Sequence, residues 1–304
     1  RCASSTNRKP FVHIFFRFYT QAAKVCGQLR SRSYPTRIKA CRRGLKLAAR
    51  DGFDFLRAKN PVLCAAYGRP GQDDMLKLYH HPFSPASRFI RLVLAEHEAK
   101  VELVIERPWE RRPDFLAMNP AAGVPVLVEN DGPPIVGAAT IMEYVDETRG
   151  YALADRRLMP NHPESRAEMR RLVEWFLHKM HDEVTHYFVH EKIYKLEMPA
   201  SRGGGAPDSQ VLRVARLNVK HHLRYIGWLA GSRDWLAGER LTFADLAAAA
   251  ELSAIDYLGE VPWDEDGHAK NWYARVKSRP SFRGLLTDRV PGVPASPVYA
   301  DLDF

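Results

Sequence analysis

Ser84 is the first side chain whose type and setting could do chemistry. It stands in Ser84-Pro85-x-x-Arg88. A serine hydroxyl at the start of a helix can donate a hydrogen bond to an anion that the helix N-terminus also favours, a thiolate included. The plainer reading is structural, because serine followed by proline starts helices anywhere. Gly123-Val124-Pro125 is the second such place. Proline brings no N–H to a ladder, so it belongs at the edge or end of a strand, and the Val124-Pro125 bond is open to the cis form. The third is a run of histidines, His178, His181, His186 and His190, on one expected helix. His186 and His190 share a face there with Asp182, a pattern that can hold a metal. No His-Glu-x-x-His string accompanies them, so a polar surface is favoured here and at His80-His81 and His221-His222. No metal site is expected.

Other residues suggest contact rather than catalysis. Trp109 lies in a loop of charged residues, Glu106 to Arg112, where a large aromatic can anchor a partner or pack under its own loop. Arg213, Arg216, Lys220 and Arg224 form a basic stripe for which a solvated face is the favoured reading over an acidic partner. Trp175, Phe176, Met180, Trp228, Trp235, Trp272 and Tyr273 read as core rather than as a ligand box. The last residues alternate apolar with acidic: Tyr299-Ala-Asp301-Leu302-Asp303-Phe304. Three upstream prolines forbid a helix, so the segment 287–304 is expected as an extended tail. Such a tail can lie on another surface with Tyr299, Leu302 and Phe304 as anchors, or fold back over its own helices.

The elements that must position these residues are legible from period and turn chemistry. Leu76 to Tyr79 alternates as a strand, Ser87 to Glu96 repeats at helical spacing, and Val101 to Arg107 is a second strand. Together they make a right-handed βαβ unit. Val126-Leu127-Val128, the turn Glu129 to Pro134, and Ile135-Val136 read as a hairpin, followed by a helix through Ile141 and Val145. The result is a four-stranded mixed sheet in residues 75–152, with Arg112 to Leu116 as a short helical connector. After a polar linker, Ala154 to Pro163, the chain is all-helical through 163–286. It comprises a long amphipathic helix or bent pair, Glu164 to Glu197, a glycine-rich loop, and a helix Val211 to Ala230. Thr242 and Asp245 spell a capping box for the next helix.

Composition divides the 304 residues at Met75. Residues 1–74 carry 16 Lys+Arg against 4 Asp+Glu, a net of +12, whereas the remainder is −3. All four cysteines precede Met75 and all seven methionines begin there. The body is therefore neither a disulfide scaffold nor a thiol redox enzyme. No apolar run reaches the length of about 18 residues that a membrane helix needs. The acid-poor, Arg-rich segment reads as an organelle transit peptide or as a reading frame extended upstream of Met75. The second is favoured because Met75 opens a complete domain, and the segment is expected to be mostly disordered. A role in binding RNA rests on this segment alone, and no nucleic acid is expected for the body.

Three strings together resemble the glutathione S-transferase family: Gly123-Val124-Pro125-Val126-Leu127 with its hairpin and helix, Trp235-Leu-Ala-Gly238-x-x-Leu241-Thr242-x-Ala244-Asp245-Leu246, and Asn271 to Phe282. The resemblance covers Met75 to about Leu286. It implies an α/β thioredoxin-like N-terminal domain (βαβ plus ββα) followed by the family's all-α C-terminal domain, with Pro125 cis. It further implies a glutathione cofactor held by the backbone at Val124 and Pro125, its thiol activated by Ser84. In that family an acidic residue and a serine open the helix after the hairpin and bind the γ-glutamyl end. This sequence has Gly137-Ala138 there. That gap and the acidic tail resemble a branch of the family, alphaproteobacterial transferase-like cell-division proteins, along Met75 to Phe304. This closer resemblance implies a cytoplasmic homodimer at the division site that binds and bundles filaments of the tubulin-like GTPase FtsZ, with no transferase activity, no cofactor and no membrane insertion. Trp109, Tyr299, Asp301, Leu302, Asp303 and Phe304 are then the expected partner contacts. A catalytic transferase using Ser84 remains the alternative.

Overall fold

Strand β1 (Leu76–His80) lies between β2 (Val101–Ile105), which runs parallel to it, and β3 (Val126–Glu129), which runs antiparallel, with β4 (Ile135–Val136) beyond β3. These elements belong to a computed structural model that describes residues 75–302. The readings made for residues 1–74, and for Asp303 and Phe304, lie outside the described residues. In register, Leu78 sits beside Leu127, which sits beside Ile135. Because strand side chains alternate between faces, this row shares one face. Helices α1 (Pro85–Glu96) and α3 (Ala138–Arg149) cover it, burying Phe89, Ile90, Val93, Ile141, Met142 and Val145. On the other face Tyr79 meets Phe115 of α2 (Pro113–Met118), their rings 6.1 Å apart. Strand β2 stops two residues short of the expected Arg107. Glu106 is buried there in a bidentate pair with Arg112, and Pro108 opens a 3₁₀ turn.

The helical half begins with one long rod, α4. It starts as Pro163–Glu174, widens into π-type turns over Trp175–Thr185 and again over His190–Tyr194, and ends with Lys195–Glu197. Its junction residues keep right-handed helical backbone angles, so the expected helix is continuous. Then come α5 (Ser209–Ser232), α6 (Phe243–Tyr257), α7 (Gly267–Lys277) and the short α8 (Arg283–Leu286). Helix α6 is buried along its whole length, which its alanines permit, and it packs against α1, α4 and α7. Its N-terminus carries the expected capping box: Asp245 accepts from the Thr242 amide, and Thr242 caps the first turn in return. Asp245 also accepts from the Leu236 amide and from the Trp272 indole. One apolar core runs from Leu76 and Leu78 through α6 to Trp272 and Phe282. The linker joins it, since Leu158 and Met159 are buried and Arg157 pairs with buried Asp146. The expected fold class is borne out: a thioredoxin-like sheet domain followed by an all-helical domain.

Candidate functional site

The loop between β1 and α1 reaches the seam between the two halves. Ser84 is the N-cap of α1: its Oγ accepts from the Ser87 amide at 3.4 Å, and Pro85 follows at the first helical position. The hydroxyl is nearly buried and meets Tyr194 at the end of α4. Burial first, then the Glu197 carboxylate, push the Tyr194 phenol up, against a hydrogen bond from Ser84. Ser84 therefore fills the structural role of a cap, and its outer side looks onto a phenol of the same chain.

The Val124-Pro125 peptide, just ahead of β3, is cis. Asn119 braces the approach: its Nδ2 donates to the Gly123 carbonyl at 2.8 Å and its Oδ1 accepts from the Ala121 amide at 3.1 Å. The Pro125 carbonyl accepts from the Gly137 amide at 3.1 Å, closing the hairpin, while Val124 makes no backbone hydrogen bond among the described residues. Val124, a half-buried residue, thus keeps peptide groups that could pair with an extended ligand. Gly137 takes φ +91°, and a Cβ built on it would meet nothing within 4 Å. Backbone conformation rather than space selects glycine there. Helix α3 then starts with no side-chain cap and no acid in its first turn. The side chains of that turn are Ala138, Ala139 and the exposed hydroxyl of Thr140.

The other half of the site is aromatic. The Trp109 ring lies 5.5 Å from His81 and 5.0 Å from Tyr194, and His81 meets Tyr194 edge-on at 4.8 Å. Nδ1 of His81 accepts from the Phe83 amide at 3.2 Å, which leaves Nε2 to donate to Glu197 at 3.2 Å. Burial alone pushes the Glu197 carboxyl up, but the His81 bond and nearby Arg107 outweigh it and hold the group below its usual value. Arg202 donates to the Trp109 carbonyl. Beside this cluster runs a surface groove of about 500 Å³, lined by Arg107, Trp109, Leu196, Glu197, Arg202 and Pro291 among others. Trp109 is half-buried on its own neighbours and keeps one side toward the groove.

The tail departs from one expectation. Tyr299, read as an outward anchor, is fully buried. Its hydroxyl donates to the Leu285 carbonyl at 2.7 Å and accepts from Arg88 Nη2 at 2.6 Å, with its ring edge-on to Tyr257 at 5.1 Å. The tail folds back over its own helices as far as Tyr299, helped by Tyr257, which accepts from the Val290 amide and donates to the Val293 carbonyl. A phenol with two strong internal partners gains more from the core than from solvent. Beyond it Asp301 and Leu302 are exposed, Leu302 by 41%.

Arg88, which in sequence is only the context of Ser84, is the hub of this region. It is fully buried and donates to Ser253 Oγ (2.7 Å), the Pro82 carbonyl (3.1 Å), Asp288 (3.2 Å) and Tyr299. Nothing short-range in the sequence announces these partners. The other candidates resolve simply. Arg216 pairs with Glu260, and Lys220 and Arg224 with Glu265, so the basic stripe is largely neutralised by its own fold. His178 pairs with Glu174, His181 with Glu251, and His186 stacks on His190. Among the described residues no group of three or more His, Cys, Asp or Glu could hold a metal, and no helix is long and apolar enough to cross a membrane.

Comparison with known proteins adds the following. Residues 78–153 match the model of the glutathione S-transferase N-terminal domain and residues 206–280 that of the C-terminal domain. FtsZ-localized protein A of Caulobacter vibrioides is 43% identical over 230 residues, which are 75% of this chain and 97% of that protein. The crystal structure of a glutathione S-transferase from Sinorhizobium meliloti is similar with TM-score 0.74 and 55% identity, covering 76% of this chain and all of the other. The structure of FzlA from C. crescentus is similar with TM-score 0.69 and 41% identity, over 76% of this chain and all of that one.

Proposed function

We propose that this chain, which belongs to the glutathione S-transferase family, is a non-catalytic cell-division protein that binds FtsZ filaments as a homodimer and bundles them. The first turn of α3 carries the reading: Gly137-Ala138 leaves that fold's ligand cleft with no side chain for a charged ligand end. Losing two hydrogen bonds to charged groups, at roughly 1.5–3 kcal/mol each, weakens binding by roughly 10² to 10⁴-fold. The likeness to FtsZ-localized protein A supports FtsZ as the proposed partner. Trp109, with its groove, and the exposed Asp301 and Leu302 are the proposed contacts, and the proposed location is the division site in the cytoplasm. Val214 and Leu217, exposed on α5, offer apolar surface for self-association. A dimer carries two copies of the contact surface, so one grip raises the effective concentration of the other on a neighbouring filament.

Co-sedimentation with FtsZ filaments tests this. The full chain should pellet with filaments and bundle them, and Trp109→Ala and Asp301→Lys should each weaken that. Unchanged pelleting by both variants would refute the proposed contacts. A second reading, a glutathione transferase, is favoured by the unpaired backbone of Val124 beside cis-Pro125 and by Ser84. Calorimetric titration separates the two: micromolar binding of glutathione, with turnover lost in Ser84→Ala, supports the enzyme.

A further inference from the structure

The buried guanidinium of Arg88 ties together distant parts of the chain. Its donors reach four parts of the molecule: the Pro82 carbonyl in the loop after β1, Ser253 on α6, Asp288 just after α8, and Tyr299 in the tail. Its CZ atom also lies 5.1 Å from the centre of the Phe83 ring. Phe83 in turn contacts Tyr257 at 4.6 Å, and Tyr257 contacts Tyr299 at 5.1 Å. Toward the other side, the Phe83 amide donates to His81, whose ring rests on Trp109. A continuous set of contacts therefore joins Trp109 to the last buried residue of the tail.

A buried charge is a poor means of adding stability, because its desolvation cancels most of what its partners return. What a fully engaged guanidinium supplies is direction, since its five donors form a rigid planar fork. Tyr299 is where that direction matters. Its hydroxyl is held by Arg88 and the Leu285 carbonyl, and Lys277 Nζ holds the preceding Val298 carbonyl at 2.7 Å. From the very next residue the chain is at the surface, with Ala300, Asp301 and Leu302 exposed.

We infer that Arg88 and Tyr299 are positioning residues for partner binding: a buried latch that fixes where the tail leaves the core, so that Asp301 and Leu302 are presented in a set relation to Trp109. This rests on the proposed FtsZ contact and adds to it that the two patches act as one pre-formed surface. The matching surface on the partner would carry a cation for Asp301 and an apolar pocket for Leu302. A tail held in advance binds without the ordering cost that a loose one meets at the moment of contact.

The test is a double-mutant cycle in full-length protein, read as the dissociation constant for FtsZ filaments, with the melting temperature measured alongside. Tyr299→Phe keeps the ring and removes the hydroxyl. It should weaken binding about tenfold, the equivalent of ordering roughly one residue's backbone anew, at temperatures where the variant is fully folded. Combined with Asp301→Lys it should add clearly less than it costs alone, because the Asp301 part of the contact cannot be displaced twice and only the Leu302 part is left to lose. A merely structural role for Tyr299 gives independent, additive effects instead, and overturns the latch. If Asp301→Lys weakens binding while Tyr299→Phe binds as the parent does, the latch fails and the contact reading stands. If Asp301→Lys itself has no effect, both fail. Should Tyr299→Phe not fold, Ser253→Ala removes another acceptor of the same guanidinium and must weaken binding in the same direction.

Discussion

His80 ends β1 on the core-facing side of the sheet, in the row begun by Leu76 and Leu78, and is only 3% exposed. Its Nδ1 has no hydrogen-bond partner among the described residues. Burial chiefly, then repulsion from Arg91 and from His81, lower its pKa from 6.5 to about 3. The folded form thus refuses a proton that the unfolded chain accepts below pH 6.5. By linkage, this ring's contribution to stability is whole above pH 6.5 and is lost as pH falls toward about 3. Each pH unit in that window costs about 1.4 kcal/mol, so at pH 4.5 this ring alone accounts for about 3 kcal/mol, a large share of a margin of about 5–15 kcal/mol. The perturbation is His80→Leu, which removes the titrating group and an unpaired buried nitrogen while filling much of the same space. Urea unfolding followed by tryptophan fluorescence at pH 7.5 and 4.5 reads the effect. At pH 7.5 the variant should lie within about 1 kcal/mol of the parent. At pH 4.5 it should keep about 3 kcal/mol that the parent loses. Other groups add their own acid dependence to both proteins, so the difference between the two pH profiles is the diagnostic quantity. Parallel profiles would refute the reasoning, because they would mean that the folded protein protonates His80 as readily as the unfolded chain does.

Two further outcomes follow from groups in the helical half. Asp245→Ala removes the shared acceptor of the Leu236 and Thr242 amides and the Trp272 indole, all in a buried setting; stability should fall by about 4 kcal/mol, checked by thermal unfolding. Neither oxygen of buried Glu251 has a hydrogen-bond partner among the described residues, and its ion pair is with His181 at 3.5 Å. Burial alone would lower the His181 pKa, but attraction to Glu251 outweighs it, and the net shift is upward. The His181 contribution to stability is therefore full below pH 6.5 and lost as pH rises through the raised value. Glu251→Gln should flatten that decline above pH 6.5 in urea unfolding, and an unchanged slope would remove the pair from the account.

The sequence by itself determined whatever is written within a few residues. Alternation in Leu76 to Tyr79 and helical spacing in Ser87 to Glu96 specified strand and helix, because side-chain period follows from backbone geometry. Ser84-Pro85 and Thr242 with Asp245 marked helix starts, because a cap is satisfied by neighbours three residues away. The string at Gly123 to Leu127 announced a Val124-Pro125 bond open to the cis form and the hairpin after it, because proline and turn residues act locally. Only the tertiary structure decided what depends on distant elements arriving together. Arg88 meets Asp288 across 200 residues and Tyr299 across 211, so nothing local could show that the arginine is a hub or that Tyr299 points inward. The same holds for Trp109, whose ring neighbours come from β1's loop and from the end of α4, and for Glu251 and His80, whose partners depend on which surfaces close over them. A polar side chain's fate is set by its desolvation and its available partners, and both are properties of the assembled interior rather than of the adjacent chain.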